Sequence, residues 1–282
     1  MKWLKNALYV LLAVLLVGGG FTYFKLKEIG IIPRAVYETE PPPLPEFQRP
    51  ALLVLSKANG FVHVDAIPAA QAMLRRIAAR RGWDIYVTDN AATHNARDLE
   101  KFAAVVWNNV SGDVLTGEQR AALRDWIEAG GGWLGIHGAG GDPSYQWDWY
   151  VDTLIGAQFV GHTMDPQFQD AAVLVADPQA AITAHLPTPW TVPSEEWYAF
   201  DSNPRARGYD ILLTLDEDSY ITKGRSLFGN DRMEGEHPIA WRHEPGRGRV
   251  LYSAIGHQAA TYELPAFEQL IENALSWVGA LD

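Results

Sequence analysis

Two kinds of hydrophobic pattern alternate along the chain after residue 50. Short apolar runs, several of them without a polar residue, are typical of strands buried on both faces of a parallel sheet. Between these runs apolar residues recur at helical spacing, and Thr116 with Gln119 three residues later marks a helix start. The pattern predicts strands at 51–56, 83–88, 103–107 and 133–136, and helices at 69–81 and 119–129.

The second half of the chain is richer in strands than in helices. Its pattern predicts strands at 171–176, 195–200, 211–215, 238–243 and 249–255, a hairpin turn at 244–248 and a last helix at 265–278. No second linker or internal repeat separates these strands from the first four, so we expect them to extend the same sheet. The whole pattern predicts one α/β domain with a mostly parallel sheet and helices on both faces.

The N-terminal segment differs from the rest. An uncharged run of 18 residues from Ala7 to Phe24 lies between lysines, and a membrane-spanning helix needs about 20 apolar residues. The run predicts an uncleaved transmembrane anchor at 1–27, with a cleaved signal peptide as the alternative. Residues 28–50 form a proline-rich linker, expected to be a stiff tether, and 51–282 form the domain. We expect a membrane-anchored protein whose domain is periplasmic or extracellular.

Composition excludes several classes of function. The formal net charge is -11, which argues against a nucleic-acid partner, because binding phosphates requires clustered Lys and Arg. The chain has no cysteine, so disulfides, thiolate metal sites and cysteine catalysis are excluded. Its eleven tryptophans fill the core or line a cleft for a flat or sugar-like ligand.

Polar residues follow the predicted strands at three separate places: His63, Asn108-Asn109 and His137. Ligands of open α/β sheets bind at the carboxyl ends of the strands. The stretch around His137 has glycines on both sides, which resembles the sharp strand-to-helix turn that presents a nucleophile. The sequence therefore predicts a cleft with His137 at its focal point.

Six short motifs resemble those of the ThuA-like (trehalose utilisation) family, and the resemblance covers about residue 51 to the C-terminus. The motifs are Asn59-Gly60-Phe61-Val62-His63, Gly112-Asp113-Val114-Leu115, Gly130-Gly131-Gly132 with Gly135-Ile136-His137, Glu196-Trp197-Tyr198, His237-Pro238-Ile239-Ala240-Trp241 and Gly256-His257. The resemblance implies a flavodoxin-like, class I glutamine-amidotransferase-like fold. It also implies an association with sugar utilisation, particularly of oxidised (3-keto) disaccharides.

Glutamine hydrolysis itself is excluded. The amidotransferases carry a nucleophilic cysteine at this sharp strand-to-helix turn, which is called the elbow. They also carry a histidine after a late strand, with a glutamate two residues further on. Here the elbow residue is His137, and His257 is followed by Gln258 and Ala259. Because both the nucleophile and the orienting carboxylate are missing, the amidotransferase reaction has no chemical basis in this chain.

Two functional interpretations of the histidines remain open beside separate structural roles. In one, His137 and His257 act as general acid and base with Glu196 as a carboxylate partner. In the other, candidates among His63, His137, His162 and His257 bind a divalent metal such as zinc. His63, Asn109, Trp147, Trp149 and His162 are candidate substrate-binding residues, whereas His94 and His185 are expected to be solvated loop residues.

The resulting hypothesis is an enzyme, a hydrolase, lyase or isomerase, that acts on a glycoside or 3-keto sugar. The alternative is a non-catalytic glycan-binding or scaffold module on the same fold. In either case we expect a small carbohydrate as the ligand.

Overall fold

The computed structural model describes residues 2–28, 32, 36–142, 145, 147–224, 232–233 and 235–281. The helices are α1 (Lys2–Glu28), α2 (Ala66–Arg81), α3 (Ala96–Leu99), α4 (Gly117–Glu128) and α5 (Pro265–Val278). The strands are β1 (Ala51–Leu55), β2 (Asp84–Thr88), β3 (Ala104–Asn108), β4 (Gly132–Ile136), β5 (Phe159–Gly161), β6 (Gln169–Val175), β7 (Trp190–Glu195), β8 (Ala199–Phe200), β9 (Asp210–Leu215), β10 (Pro238–His243) and β11 (Arg249–Ser253).

One nine-stranded sheet organises the domain, in the order β2-β1-β3-β4-β11-β10-β9-β6-β7. The pairs among β2, β1, β3, β4 and β11 are parallel. From β11 outward through β10, β9 and β6 to β7, every pair is antiparallel. The strands of the second half extend the first sheet, whereas β5 and β8 form a separate pair.

The expectation of a mostly parallel sheet is wrong, because the sheet is mixed and half of its pairings are antiparallel. The physical reason lies in the connections. A parallel pair needs a crossover of a dozen or more residues, usually a helix, whereas a short turn forces the next strand to run back. Helix α2 lies between β1 and β2 and α4 between β3 and β4, whereas β10 joins β11 through the short turn at 244–248.

Three central strands of the parallel half are completely buried: every residue of β1, β3 and β4 is buried, whereas the edge strand β2 is half-buried. Right-handed crossovers that run in opposite directions along a sheet lie on opposite faces, which separates α2, between β1 and β2, from α4, between β3 and β4. Helix α4 begins at the predicted capping box of Thr116 and Gln119. The C-terminal ends of β1, β3, β4 and β11 then meet at one edge, which positions the loops described below.

The membrane expectations are wrong. Helix α1 covers 27 residues, but no helix among the described residues is both long and apolar enough to cross a membrane. The transmembrane anchor at 1–27 is therefore not supported. The periplasmic or extracellular placement depended on that anchor and is withdrawn with it.

The proline-rich segment lies on the domain over its described part, 36–50, while 29–31 and 33–35 of the predicted linker fall outside the described residues. The Glu38 carboxylate accepts a hydrogen bond from Lys57 Nζ at 2.6 Å, and Gln119 Nε2 donates to the Glu38 carbonyl at 2.6 Å. Further along, Phe47 packs on Phe102 with ring centroids 5.2 Å apart. This segment is a strap along the domain.

Candidate active site

The turn after β4 has the geometry of an elbow. His137 adopts φ +45°, a left-handed conformation that costs a non-glycine residue about 1–3 kcal/mol and is concentrated at functional sites. Gly138 is needed here because a Cβ at that position would lie 2.9 Å from His63 Cε1. The turn therefore brings the His137 loop into contact with the loop after β1.

Hydrogen bonds fix the orientation and the tautomer of His137. Its Nδ1 lies 2.6 Å from the carbonyl oxygen of Ala254. Because a carbonyl only accepts, Nδ1 carries the proton and Nε2 keeps a free lone pair. The Tyr198 ring stacks on the imidazole with centroids 4.2 Å apart, and the imidazole is completely buried. His137 is thus a rigid group that presents a lone pair.

His257 follows β11 in a loop that Glu195 holds. The Glu195 carboxylate accepts hydrogen bonds from the backbone of Gly256 at 3.2 Å and of His257 at 2.9 Å. It also accepts from the Thr261 hydroxyl at 2.6 Å. The His257 side chain keeps 14% of its surface exposed, which makes it the part of the cluster that faces solvent.

Glu196 comes directly after β7, and both it and Glu195 contact His257. The expected strand at 195–200 is interrupted: β7 ends at Glu195 and β8 begins at Ala199. Glu196 Oε2 lies 3.0 Å from His257 Nδ1 and 3.5 Å from His137 Nε2. Both carboxylates are buried, so the pair is not the exposed feature that adjacent glutamates usually form.

The environment keeps Glu196 ionised. Burial alone would raise its pKa, but the adjacent imidazoles of His137 and His257 outweigh burial and hold the pKa well below its usual range. The other oxygen, Oε1, accepts from Gln167 Nε2 at 2.6 Å. Nδ1 of His162 lies 3.3 Å from the same oxygen. Glu196 is therefore a fixed anion at the centre of the site.

His63 completes the group from the loop after β1. It is 6% exposed, and its ring makes edge contacts with those of His137 and His257 at 4.8 and 4.9 Å between centroids. Burial, followed by the charges of those two histidines, lowers the pKa of His63 far below its ordinary value. Within the residues that the structure describes, its Nδ1 has no hydrogen-bond partner.

The structure thus brings together His63, His137, Glu196 and His257, which we call the His/Glu cluster. Each offers one ligand atom, and the four atoms lie within 4.8 Å of one another. His162 lies beside the cluster through Glu196. Asn109 lies beneath it, with Nδ2 donating to the Tyr262 hydroxyl at 2.9 Å. All four cluster residues could hold a metal ion.

The two tryptophans lie elsewhere. Trp147 has the Arg120 guanidinium 5.7 Å from its ring centroid, and Trp149 Nε1 donates to Glu128 at 3.0 Å. Both arginine and glutamate belong to α4. These contacts form a packed aromatic patch against that helix, so the substrate-binding role of Trp147 and Trp149 stays a prediction without support from their positions.

Two other aromatic residues flank the cluster, and the sequence pattern did not single them out. Phe61 and Phe168 are 44% and 39% exposed. Their ring centroids lie 6.4 and 5.0 Å from that of His257. Phe61 belongs to the motif that ends at His63, and this motif could have drawn attention to it. Phe168 lies in a stretch without hydrophobic periodicity, so nothing in the sequence indicated its position. Glu195 and Gln167 were also missed as supporting residues.

The site has the position that the fold predicts for a ligand-binding edge, with an imidazole at the sharp turn after β4. These features define a class: an α/β domain whose ligand-binding edge carries a histidine at the turn after a central parallel strand. The family model described as trehalose utilisation, ThuA, matches residues 51–278. The chain therefore belongs to the ThuA family.

Two solved structures of ThuA-like proteins share the fold of this chain. A ThuA-like protein from Bacteroides uniformis is 24% identical over 84% of this chain and 95% of its own, with a TM-score of 0.70. A ThuA-like protein from Parabacteroides merdae is 14% identical over 82% and 90%, with a TM-score of 0.58. A glutamine amidotransferase from Thermotoga maritima is 12% identical over 82% and 99%, with a TM-score of 0.49. The comparison with curated proteins gave no match.

Proposed function

We propose that this chain is an enzyme that acts on a carbohydrate, a glycoside or a 3-keto sugar, at the His/Glu cluster. One observation carries the proposal: four potential ligand or proton-transfer atoms, from four separate loops, converge within 4.8 Å. Buried imidazoles and a buried carboxylate are costly to assemble, because burial removes their hydration. Such assemblies are concentrated at functional sites.

The surroundings of the cluster support a sugar as the substrate. The family is described as trehalose utilisation. Phe61 and Phe168 stand half-exposed beside His257, and aromatic side chains provide flat apolar surfaces for the C–H faces of sugar rings. Polar groups of His162 and Gln167 lie next to Glu196. An apolar rim around a few convergent polar groups is the usual composition of a small-molecule site.

A 3-keto sugar suits these groups chemically. Its carbonyl acidifies the hydrogen on the neighbouring carbon, so a base can remove that proton while a positive group stabilises the enolate oxygen. The enolate then expels the glycosidic oxygen, which takes up the proton that the base removed and leaves as an alcohol, or the enolate is reprotonated at another carbon, which moves the carbonyl. The cluster offers imidazoles for such proton transfers, and the proposal holds whether they act alone or around an ion.

The test is turnover of a panel of 3-keto disaccharides and their parent disaccharides, with products identified by NMR. We expect at least one to react, and His257→Gln to reduce its turnover by about 100-fold or more. His185→Gln is the matched control, because His185 is exposed and bonds to the Ala266 carbonyl away from the cluster. Saturable sugar binding in calorimetry with no product would favour the non-catalytic glycan-binding module instead.

A further inference from the structure

We propose that the His/Glu cluster is a metal centre, in which His137 Nε2, His257 Nδ1 and Glu196 Oε2 bind one divalent ion of the zinc class. His63 stands at the fourth position. This inference goes beyond the proposed sugar chemistry, because it concerns a cofactor and can be tested without any substrate.

The three donor atoms form a triangle of the right size. His137 Nε2 lies 3.1 Å from His257 Nδ1, His257 Nδ1 lies 3.0 Å from Glu196 Oε2, and His137 Nε2 lies 3.5 Å from Glu196 Oε2. A tetrahedral zinc ion with bonds of about 2.0–2.2 Å separates its ligands by roughly 3.3–3.5 Å. A shift of a few tenths of an ångström would accommodate the ion.

A proton relay explains the same contacts less well. In a relay, an imidazole uses its two nitrogens for two partners, one on each side of the ring. Here Nδ1 of His257 faces both His137 and Glu196, so a single proton on that atom would have to be shared in a three-centre hydrogen bond, and neither partner would receive a proton of its own. A cation at the centre of the triangle satisfies all three atoms together.

The supporting contacts are those that metal ligands require. A ligating histidine normally donates its other N–H to a carbonyl or carboxylate, which fixes the tautomer and aims the lone pair. His137 has this arrangement through Ala254. Glu196 has its second oxygen held by Gln167, so Oε2 is left to face the triangle. The loop of His257 is fixed by Glu195 through its backbone.

His63 supports the metal centre independently of the triangle of donor atoms. A buried polar atom without a partner costs free energy. Nδ1 of His63 is such an atom within the described part of the chain. The ligand atom of His63 lies within 4.8 Å of the other three, close enough to complete the coordination or to bond a ligand of the ion.

The chemistry of the donors selects the ion. The cluster contains three imidazoles and one carboxylate and, since the chain has no cysteine, no thiolate. Imidazole ligands suit zinc and neighbouring first-row metals, whereas magnesium and calcium prefer sites built of oxygen. Three imidazoles with one carboxylate also fit the nitrogen and oxygen sets of catalytic zinc sites.

The experiment is a zinc titration of the full chain after dialysis against a chelator, followed by calorimetry at pH 7.5. We expect one Zn²⁺ per chain. Co²⁺ in its place should give the visible absorption of a four-coordinate ion. Glu196→Gln and His257→Gln should each weaken zinc binding by more than about 100-fold, since even supporting residues of metal sites contribute about 10–100-fold.

His185→Gln is the control that removes a histidine without touching the cluster, and it should bind zinc like the wild type. Circular dichroism of each metal-free variant separates loss of binding from loss of folding. Should a variant fail to fold, X-ray absorption of the zinc-loaded wild type decides instead, through the number of nitrogen and oxygen ligands at about 2.0–2.2 Å.

Failure to bind zinc or cobalt, or unchanged affinity in folded Glu196→Gln and His257→Gln, would overturn the metal centre. These outcomes are distinct from failure of the proposed function. If the chain binds zinc but converts no sugar, the carbohydrate proposal alone is wrong. If the chain converts a 3-keto sugar but binds neither zinc nor cobalt, the metal centre alone is wrong.

Discussion

Replacing Glu195 by glutamine tests how the site is held in place. Glu195 is completely buried, and its two oxygens each accept two hydrogen bonds. Oε1 accepts from the backbone of Glu196 and His257, both at 2.9 Å. Oε2 accepts from Gly256 N and from the Thr261 hydroxyl. Glutamine keeps the shape of the side chain but replaces one acceptor oxygen by an N–H donor.

The expected cost follows from these contacts. The amide nitrogen should take the place of Oε2, because the Thr261 hydroxyl can rotate and accept, whereas two backbone N–H groups at Oε1 cannot. Gly256 N then loses its acceptor, at about 1–3 kcal/mol for a buried donor left unsatisfied. The bonds at Oε1 also lose their charge-assisted strength, roughly another 1 kcal/mol. The total is about 2–4 kcal/mol of unfolding free energy.

Urea unfolding followed by tryptophan fluorescence measures this cost. Glu236→Gln is the matched control, because Glu236 is 30% exposed and pairs with Arg205 at the surface, where such a pair contributes at most about 1 kcal/mol. Zinc affinity should also fall, by roughly 10–100-fold, because the His257 loop loses its anchor. A Glu195→Gln variant within about 0.5 kcal/mol of the wild type, with unchanged zinc affinity, would refute this reasoning.

Three further predictions address the elbow, a buried histidine and the strap. Gly138→Ala places a Cβ 2.9 Å from His63 Cε1, so it should displace His63 and weaken zinc binding by roughly 10-fold or more. Gly117→Ala is the control, because its Cβ has open space around it, and it should leave zinc binding unchanged. His94 has its pKa lowered to about 4 by burial, so it stays neutral in the folded state while the unfolded chain takes up a proton near its ordinary 6.5. Its contribution to stability is therefore complete above pH 6.5 and is lost as the pH falls towards 4; between pH 7.5 and 5 the loss is about 2 kcal/mol. Urea unfolding of His94→Gln should show a pH dependence that is weaker by this amount, and identical pH dependences would contradict it. Glu38→Gln leaves the Lys57 ammonium, which is 7% exposed, without its anion. The variant should lose about 1–3 kcal/mol of unfolding free energy and melt at a lower temperature. An unchanged melting temperature would show that this contact of the strap does not stabilise the domain.

The sequence pattern predicted the parallel half of the fold well, because its central strands β1, β3 and β4 are completely buried and consist almost entirely of apolar residues and glycine. The strand ending at Ile136 and the helix starting after Thr116 are examples, found at the expected places. The antiparallel half was harder, since its strand positions were visible but their direction depends on connection length. The interruption after Glu195 had no signal in an otherwise apolar segment.

The site shows the same division. His137 was predicted as the focal residue from its glycines, and the structure places His257 3.1 Å away. His63 and His162 could not be separated by sequence, because only the packing of their loops decides that His63 is buried in the cluster while His162 stands beside it. His94 was expected in solvent, but it is buried and accepts a hydrogen bond from Trp107 Nε1 at 3.1 Å. A partner thirteen residues away cannot be inferred from the local polarity around His94.

The central claim is that three side chains from separate loops converge on one ion. Crystals of the full chain, grown with zinc and measured on both sides of the zinc absorption edge, test it most directly. We expect one anomalous peak inside the cluster, about 2.0–2.2 Å from His137 Nε2, His257 Nδ1 and Glu196 Oε2. A map with no peak at the cluster, or with zinc only at surface residues, would contradict it.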